Sequence, residues 1–227
     1  DDALKEAVNK DMQVINLLEV LGSSVKEEEL VEGMEAEEGE TEGGAEEEPE
    51  YDEHVWLSLK NAQTICNAIA KSLETIDPEH KDVYTANVEA YTKKLSSLDV
   101  QYQDAVAKAS HKKLLFGDRF PFRYMVDDYG LKYYAAFAGC SAESEASFET
   151  ISFLAKKADE LGLKNIMTIE NSDQKIAKTI RDNTKDKNQE ILSLDSMQST
   201  TSEDVKNGTT YLSVMESNLD VLKKALQ

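Results

Sequence analysis

The run Asp52-Glu53-His54-Val55-Trp56 brings together the residue types of a cation site. Two carboxylates precede an imidazole and two apolar side chains follow it. An imidazole binds metal well when its ring is packed and its second nitrogen is held by a partner. The plain alternative is a solvated His beside an acidic loop. Further acids follow apolar runs that read as strands: Asp118 after Lys113–Phe116, Glu170 after Asn165–Ile169, and Asp195 after Glu190–Leu194. In parallel α/β sheets ligands gather at such strand ends. One strand-end acid alone is usually a helix cap. Three in one crevice opposite His54 would suit a cation. The same acids with Arg119 would also suit a metal-assisted hydrolase. That reading needs a nucleophile beside a base. No G-x-S-x-G, phosphate-binding glycine loop, H-E-x-x-H or Cys-x-x-Cys is present. His80 and His111 lie in polar contexts and read as solvated.

The 227 residues suffice for one large domain or two small lobes. The net charge is −20, but fifteen acids and no Lys or Arg fall between residues 27 and 53. The other 200 residues therefore carry only −5. This local acidity argues against nucleic acid as a partner, because a phosphate backbone wants a basic face. No run of about eighteen apolar residues reads as a membrane span. Two cysteines, Cys66 and Cys140, are too few for a thiolate metal cage. They read either as one disulfide outside the cell or as two buried thiols.

The elements that must position these groups follow from periodicity. Residues 1–10 pattern as a short helix, and Met12–Leu18 is expected to be a strand. Residues 27–50 are Glu-rich with four glycines and Pro49, and read as a disordered loop, solvated or weakly cation-collecting. Residues 60–75 repeat as a helix. A long helix is expected from Pro78, capped by Asp77, to about Ala109. Four strand–helix alternations follow. Phe122–Asp128 is a helix closed at Gly130, Tyr133–Ala138 a strand, and Ser147–Leu161 a helix. Residues 173–184 and Thr209–Leu226 form the last two helices. The expected class is α/β, a parallel sheet with helices on both faces.

Asp52-Glu53-His54-Val55-Trp56-Leu57 with Lys60-Asn61-Ala62 resembles the D-x-H-[IV]-W-L-x-x-x-N-A segment of zinc- and manganese-binding proteins of ABC importers. Leu73, Asp77, Pro78 and Tyr84 match the family's interlobe helix. Phe122, Tyr124, Tyr129, Gly130 and Leu131 match its F-x-Y-x-x-x-x-Y-G segment. Ser141-Ala-Glu-Ser-Glu-Ala-Ser147 is similar to its S-P-E-A-E-P-S run. The resemblance covers nearly the whole chain and implies three regions. Residues 1–76 would be a remnant of an amino-terminal lobe with acidic loop 27–50, residues 77–109 an interlobe helix, and residues 110–227 a carboxyl-terminal α/β lobe. It implies His54, Asp118 and Asp195 as metal ligands, with Glu170 near the site. Ungapped, the Asp118 ligand position falls on Arg119, and a one-residue shift restores the carboxylate. The usual Asp-Pro turn is Ser58-Leu59 here.

The resemblance further implies a zinc cargo, with manganese as alternative, and an importer permease as partner. It implies a monomer outside the cytoplasm, tethered only by an anchor preceding Asp1. A βα region and a His ligand are likewise expected upstream of Asp1. A disulfide between Cys66 and Cys140 would staple the lobes. Adhesion through the acidic loop is a third reading.

Overall fold

The structure, a computed structural model, describes residues 12–35, 50–139, 141 and 145–227. Four strands form one all-parallel sheet in the order β2-β1-β3-β4. They are β1 Lys113–Phe120, β2 Lys132–Ala138, β3 Asn165–Ile169 and β4 Glu190–Leu194. The helices are α1 Leu17–Leu21, α2 Leu59–Ile76, α3 Lys81–Ala107, α4 Arg123–Tyr129, α5 Phe148–Leu161, α6 Lys175–Asn183, α7 Ser202–Lys206 and α8 Tyr211–Ala225.

Period-two alternation sends each strand's side chains to two cores. Leu114, Phe116, Met167 and Leu192 point into a core shared with α2, α3, α4 and α8. Leu115 and Ile166 point the other way, into a core closed by Leu154, Ala158 and Ile180 of α5 and α6. A smaller cluster of Leu21, Val55, Ile65 and Tyr124 docks the amino-terminal segment. The expected α/β class, with helices on both faces, is the architecture found.

Several elements differ from expectation. Met12–Leu18 is not a strand. Asn16 accepts from the Leu18 and Glu19 amides, at 3.0 and 3.3 Å, and caps α1 instead. The side-chain cap offered the backbone a local partner, and among the described residues no strand pairs with this segment. The strand expected to end at Phe116 runs on to Phe120, through a bulge between Phe116 and Arg119. The long helix starts later than expected. Pro78–His80 is a 3-10 turn, and Asp77 takes Tyr84 Oη (2.9 Å) and His80 Nδ1 (2.8 Å) rather than a helix amide. α3 still has 27 residues, which is about 40 Å at 1.5 Å per residue.

The first part of the acidic stretch has a definite path. The Glu28 amide donates to Glu50 O at 2.9 Å, and the Glu35 amide to Ala136 O at 3.0 Å. Glu35 thereby pairs with Phe137 on the open edge of β2. Its carboxylate also accepts from the Ser147 amide at the start of α5, at 2.6 Å. The helix 1–10 and residues 36–49 fall outside the described residues.

The main core holds a stacked pair, Tyr102 and Tyr129, with ring centroids 5.1 Å apart. Tyr102 Oη donates to Met215 O at 2.6 Å and Tyr129 Oη to Asp99 Oδ1 at 2.9 Å. Burial pushes both phenols well above the ordinary value, and the Asp99 carboxylate adds to the rise at Tyr129. Above about pH 10 the unfolded chain releases protons that the folded chain retains. Stability is therefore full below pH 10 and falls as pH rises, by up to roughly 1.4 kcal/mol per unit for each tyrosine. Melting curves between pH 8 and 11 should show this slope, and Tyr129→Phe should reduce it. A flat melting temperature across that range would contradict the assignment.

Candidate metal centre

His54 enters the site on a short backbone device. Asp52 is anchored first, its amide on Lys26 O at 2.9 Å and its carbonyl accepting Tyr124 Oη at 2.7 Å. Its Oδ1 then accepts the His54 amide at 2.8 Å and meets His54 Nδ1 at 3.0 Å. With the proton on Nδ1, the lone pair lies on Nε2. His54 is 1% exposed and Asp52 3%, so the solvated alternative does not hold. The imidazole leans on Trp56, with centroids 5.5 Å apart and planes at 57°. Gly139 closes the other side, where a Cβ would lie 2.9 Å from His54 Cε1.

After His54 the chain makes a 3-10 turn, Val55–Leu57, and enters α2. Ser58 takes the cap role in the altered turn. Its Oγ accepts the Asn61 amide at 3.0 Å and donates to Asp128 Oδ2 at 2.6 Å. Trp56 is held at both ends. Its Nε1 donates to Ser196 O at 2.9 Å, and its carbonyl accepts Tyr211 Oη at 2.7 Å.

Asp118 lies in the β1 bulge. Oδ2 accepts Ser172 Oγ at 2.5 Å and the Ile169 amide at 3.5 Å, while Oδ1 accepts the Arg119 amide at 2.9 Å. Arg119 Nη1 donates to Ser141 O at 3.3 Å. Asp118, Arg119, Glu170, Ser172 and Ser199 line a crevice of about 450 Å³ at the strand ends.

Glu170 and Asp195 leave neighbouring strands side by side, since Ile169 pairs with Leu194. Burial alone would raise the Glu170 carboxyl, but hydrogen bonds from Ser196 and Ser199 outweigh it and hold it low. Burial pushes the Asp195 carboxyl up, and the nearby Glu170 charge adds to this against the Met197 amide. Met197 N donates to Asp195 Oδ1 at 2.7 Å. Asn218 of α8 clasps the Asp195 backbone, at 2.8 Å to both its amide and its carbonyl.

The four candidates are thus only partly gathered. Asp118 and Glu170 share the crevice; His54 and Asp195 are not among its lining residues. Among the described residues no three His, Cys, Asp or Glu side chains form a metal-holding group. Sequence reasoning did not identify Asp52 as the His54 partner, although an Asp two residues ahead of a His was its signal. It had no signal for Trp56 reaching Ser196, 140 residues away. His80 is exposed, with Nδ1 2.8 Å from Asp77 Oδ2, in keeping with the solvated reading. Cys66 is a free, half-buried thiol raised by burial, while Cys140, its partner in the disulfide reading, lies outside the described residues.

The chain is 35% identical over 196 residues to the zinc-binding lipoprotein AdcA of Streptococcus pneumoniae, which is 86% of this chain and 38% of that protein. It therefore spans well under half of that relative's length. The Zn(II)-bound ZnuA-like domain of S. pneumoniae AdcA superposes with a TM-score of 0.64 at 33% identity, covering 78% of this chain and 64% of that one. The laminin-binding protein Lmb of Streptococcus agalactiae, described as having adhesin and metal-transporting activity, gives 0.67 at 29%, covering 78% and 65%. The family model described as zinc-uptake complex component A, periplasmic (ZnuA), matches residues 1–225. With that match spanning almost every residue, the chain belongs to the ZnuA family of zinc-uptake components.

Proposed function

We propose that this chain captures a zinc ion outside the cytoplasm and passes it to the permease of an ABC importer. The observation that carries the reading is the Asp52–His54 pair, buried and oriented. The ion is cargo, bound and released without covalent chemistry. His54 supplies nitrogen through Nε2; Asp195 and Asp118 supply oxygen. One imidazole with carboxylates accepts zinc and, more weakly, manganese. Asp118 is the more occupied ligand, since it already accepts from Ser172, Ile169 and Arg119. The test is calorimetric titration of the chain with zinc and with manganese. Zinc binding tighter than manganese is expected; no binding of either ion rejects the reading.

Gly139→Ala probes the same site without removing a ligand. The new Cβ meets the His54 ring at 2.9 Å and Phe120 O at 3.1 Å, so the imidazole must turn. Zinc affinity is expected to fall about tenfold, in the range of losses from mis-set ligands. Ring-proton chemical shifts of His54 should move with it. Unshifted resonances would show that the ring is not held there.

The similarity to Lmb favours a second role in surface adhesion. Binding of immobilised laminin, with and without residues 36–49, tests it. Wild-type binding at background level removes the adhesion reading.

A further inference from the structure

We propose that Glu170 is a positioning residue rather than a ligand: it clasps the loop after β4 and thereby sets Asp195 and, through Trp56, the His54 ring. The consequence for zinc rests on the function proposed above; the clasp itself does not. Five donors from one loop converge on this carboxylate. Oε2 accepts the Ser196 amide at 2.8 Å. Oε1 accepts Ser196 Oγ at 2.8 Å, Ser199 Oγ at 3.0 Å, the Gln198 amide at 3.1 Å and the Ser199 amide at 3.4 Å. A carboxylate offers about four lone-pair sites. Ser196 Oγ also reaches Oε2, at 3.0 Å, so both oxygens are engaged and a cation at Glu170 must compete with the loop's bonds.

The loop needs such a clasp. Met197 sits at φ +63°, a left-handed backbone unfavourable for a residue with a side chain. Across the junction Asn171, at φ +56°, donates from Nδ2 to Ser199 Oγ at 2.9 Å. The clasped loop carries Asp195 at one end. Its buried Ser196 carbonyl accepts the Trp56 indole, on which His54 leans. A single carboxylate thus links the end of β3, the Asp195 loop and the His54 turn, three segments distant in sequence.

Trp56 is the only tryptophan, so its fluorescence reports this junction alone. The experiment uses the whole chain as wild type, Glu170→Gln, Glu170→Asp and His54→Ala. Two readouts are taken without metal: Trp56 emission and amide exchange at Ser196, Gln198 and Ser199. Zinc affinity is then measured by chelator competition. Glu170→Gln keeps the shape but replaces an acceptor oxygen with a donor. Expected are red-shifted emission, loop amides exchanging at least about tenfold faster, and zinc binding weakened about 10- to 100-fold. Glu170→Asp, which keeps the charge and shortens the reach, should fall between. It also serves if Glu170→Gln does not fold.

Wild-type emission and exchange in both Glu170 variants would overturn the proposal. So would zinc loss as complete as in His54→Ala with the loop amides undisturbed, since that marks Glu170 as a ligand. If His54→Ala binds zinc like wild type, the proposed function fails instead, and the metal-free readouts still decide the clasp.

Discussion

Replacing His54 with Ala is expected to weaken zinc binding by at least about 100-fold, because losses even outside the ligand shell reach 10- to 100-fold. The imidazole is the strong nitrogen donor proposed among the described residues. Its ring is confined by Trp56 and Gly139 and oriented by Asp52. No nearby carboxylate reproduces a confined nitrogen donor. The substitution also disturbs the fold, since the Asp52 carboxylate loses its ring partner while buried. Leaving a buried polar group short of a partner costs about 1–3 kcal/mol. His54→Gln separates the two effects. Its amide can still donate to Asp52, so stability should recover while zinc affinity does not. Chelator competition and thermal melting on both variants give the answer. Unchanged zinc affinity in His54→Ala would end the assignment of this segment as the metal site.

Gly117→Ala is expected to lower stability, because the contact it creates is with backbone. Gly117 sits in the β1 bulge directly beneath α6. A Cβ there would lie 2.6 Å from Ala177 Cα and 2.9 Å from Ala177 N and Cβ. Two of those atoms are backbone, so no rotamer change relieves the contact. Either α6 lifts from the sheet or β1 bends. Overpacking of this kind costs about 1–3 kcal/mol or more. For a chain of this size that is roughly a 3–10 °C fall in melting temperature. Ala177→Gly in the same chain removes one of the clashing atoms and should restore part of the loss. The next residue is Asp118, so the crevice should loosen as well. A melting temperature within 1 °C of wild type, by the same scale, would show that the α6–β1 approach is softer than its geometry implies.

The physical origin of these two sites explains how far the sequence could be read. Strands β3 and β4 were legible to the residue, because short apolar runs end sharply at an acid or polar residue. Gly130 marked the end of α4 by its left-handed backbone, φ +64°. Asn16 misled, because Met12–Leu18 is apolar enough for a strand yet its cap bonds decide locally for helix. The bulge in β1 was invisible, since it arises from pairing with β2 and not from the residues of β1 alone.

His54, Asp118, Glu170 and Asp195 were all identifiable as candidates from residue type and context. A strand end and a carboxylate are local facts, written in a few consecutive residues. Their roles were not local. Whether a carboxylate can bind an ion depends on what already occupies its oxygens. Ser172 reaches Asp118 across 54 residues, and Ser196 reaches Glu170 across 26. Burial of His54 depends on Gly139, which follows β2, 85 residues further along the chain. Sequence alone determined the class of fold, the concentration of acid before the His-Val-Trp turn, and the side chains available for a cation. Tertiary structure decided which of those side chains are oriented, which are spent on neighbours and which hold others in place. Hydrogen-bond partners are assigned by proximity in space, and proximity between distant segments exists only once the sheet has formed.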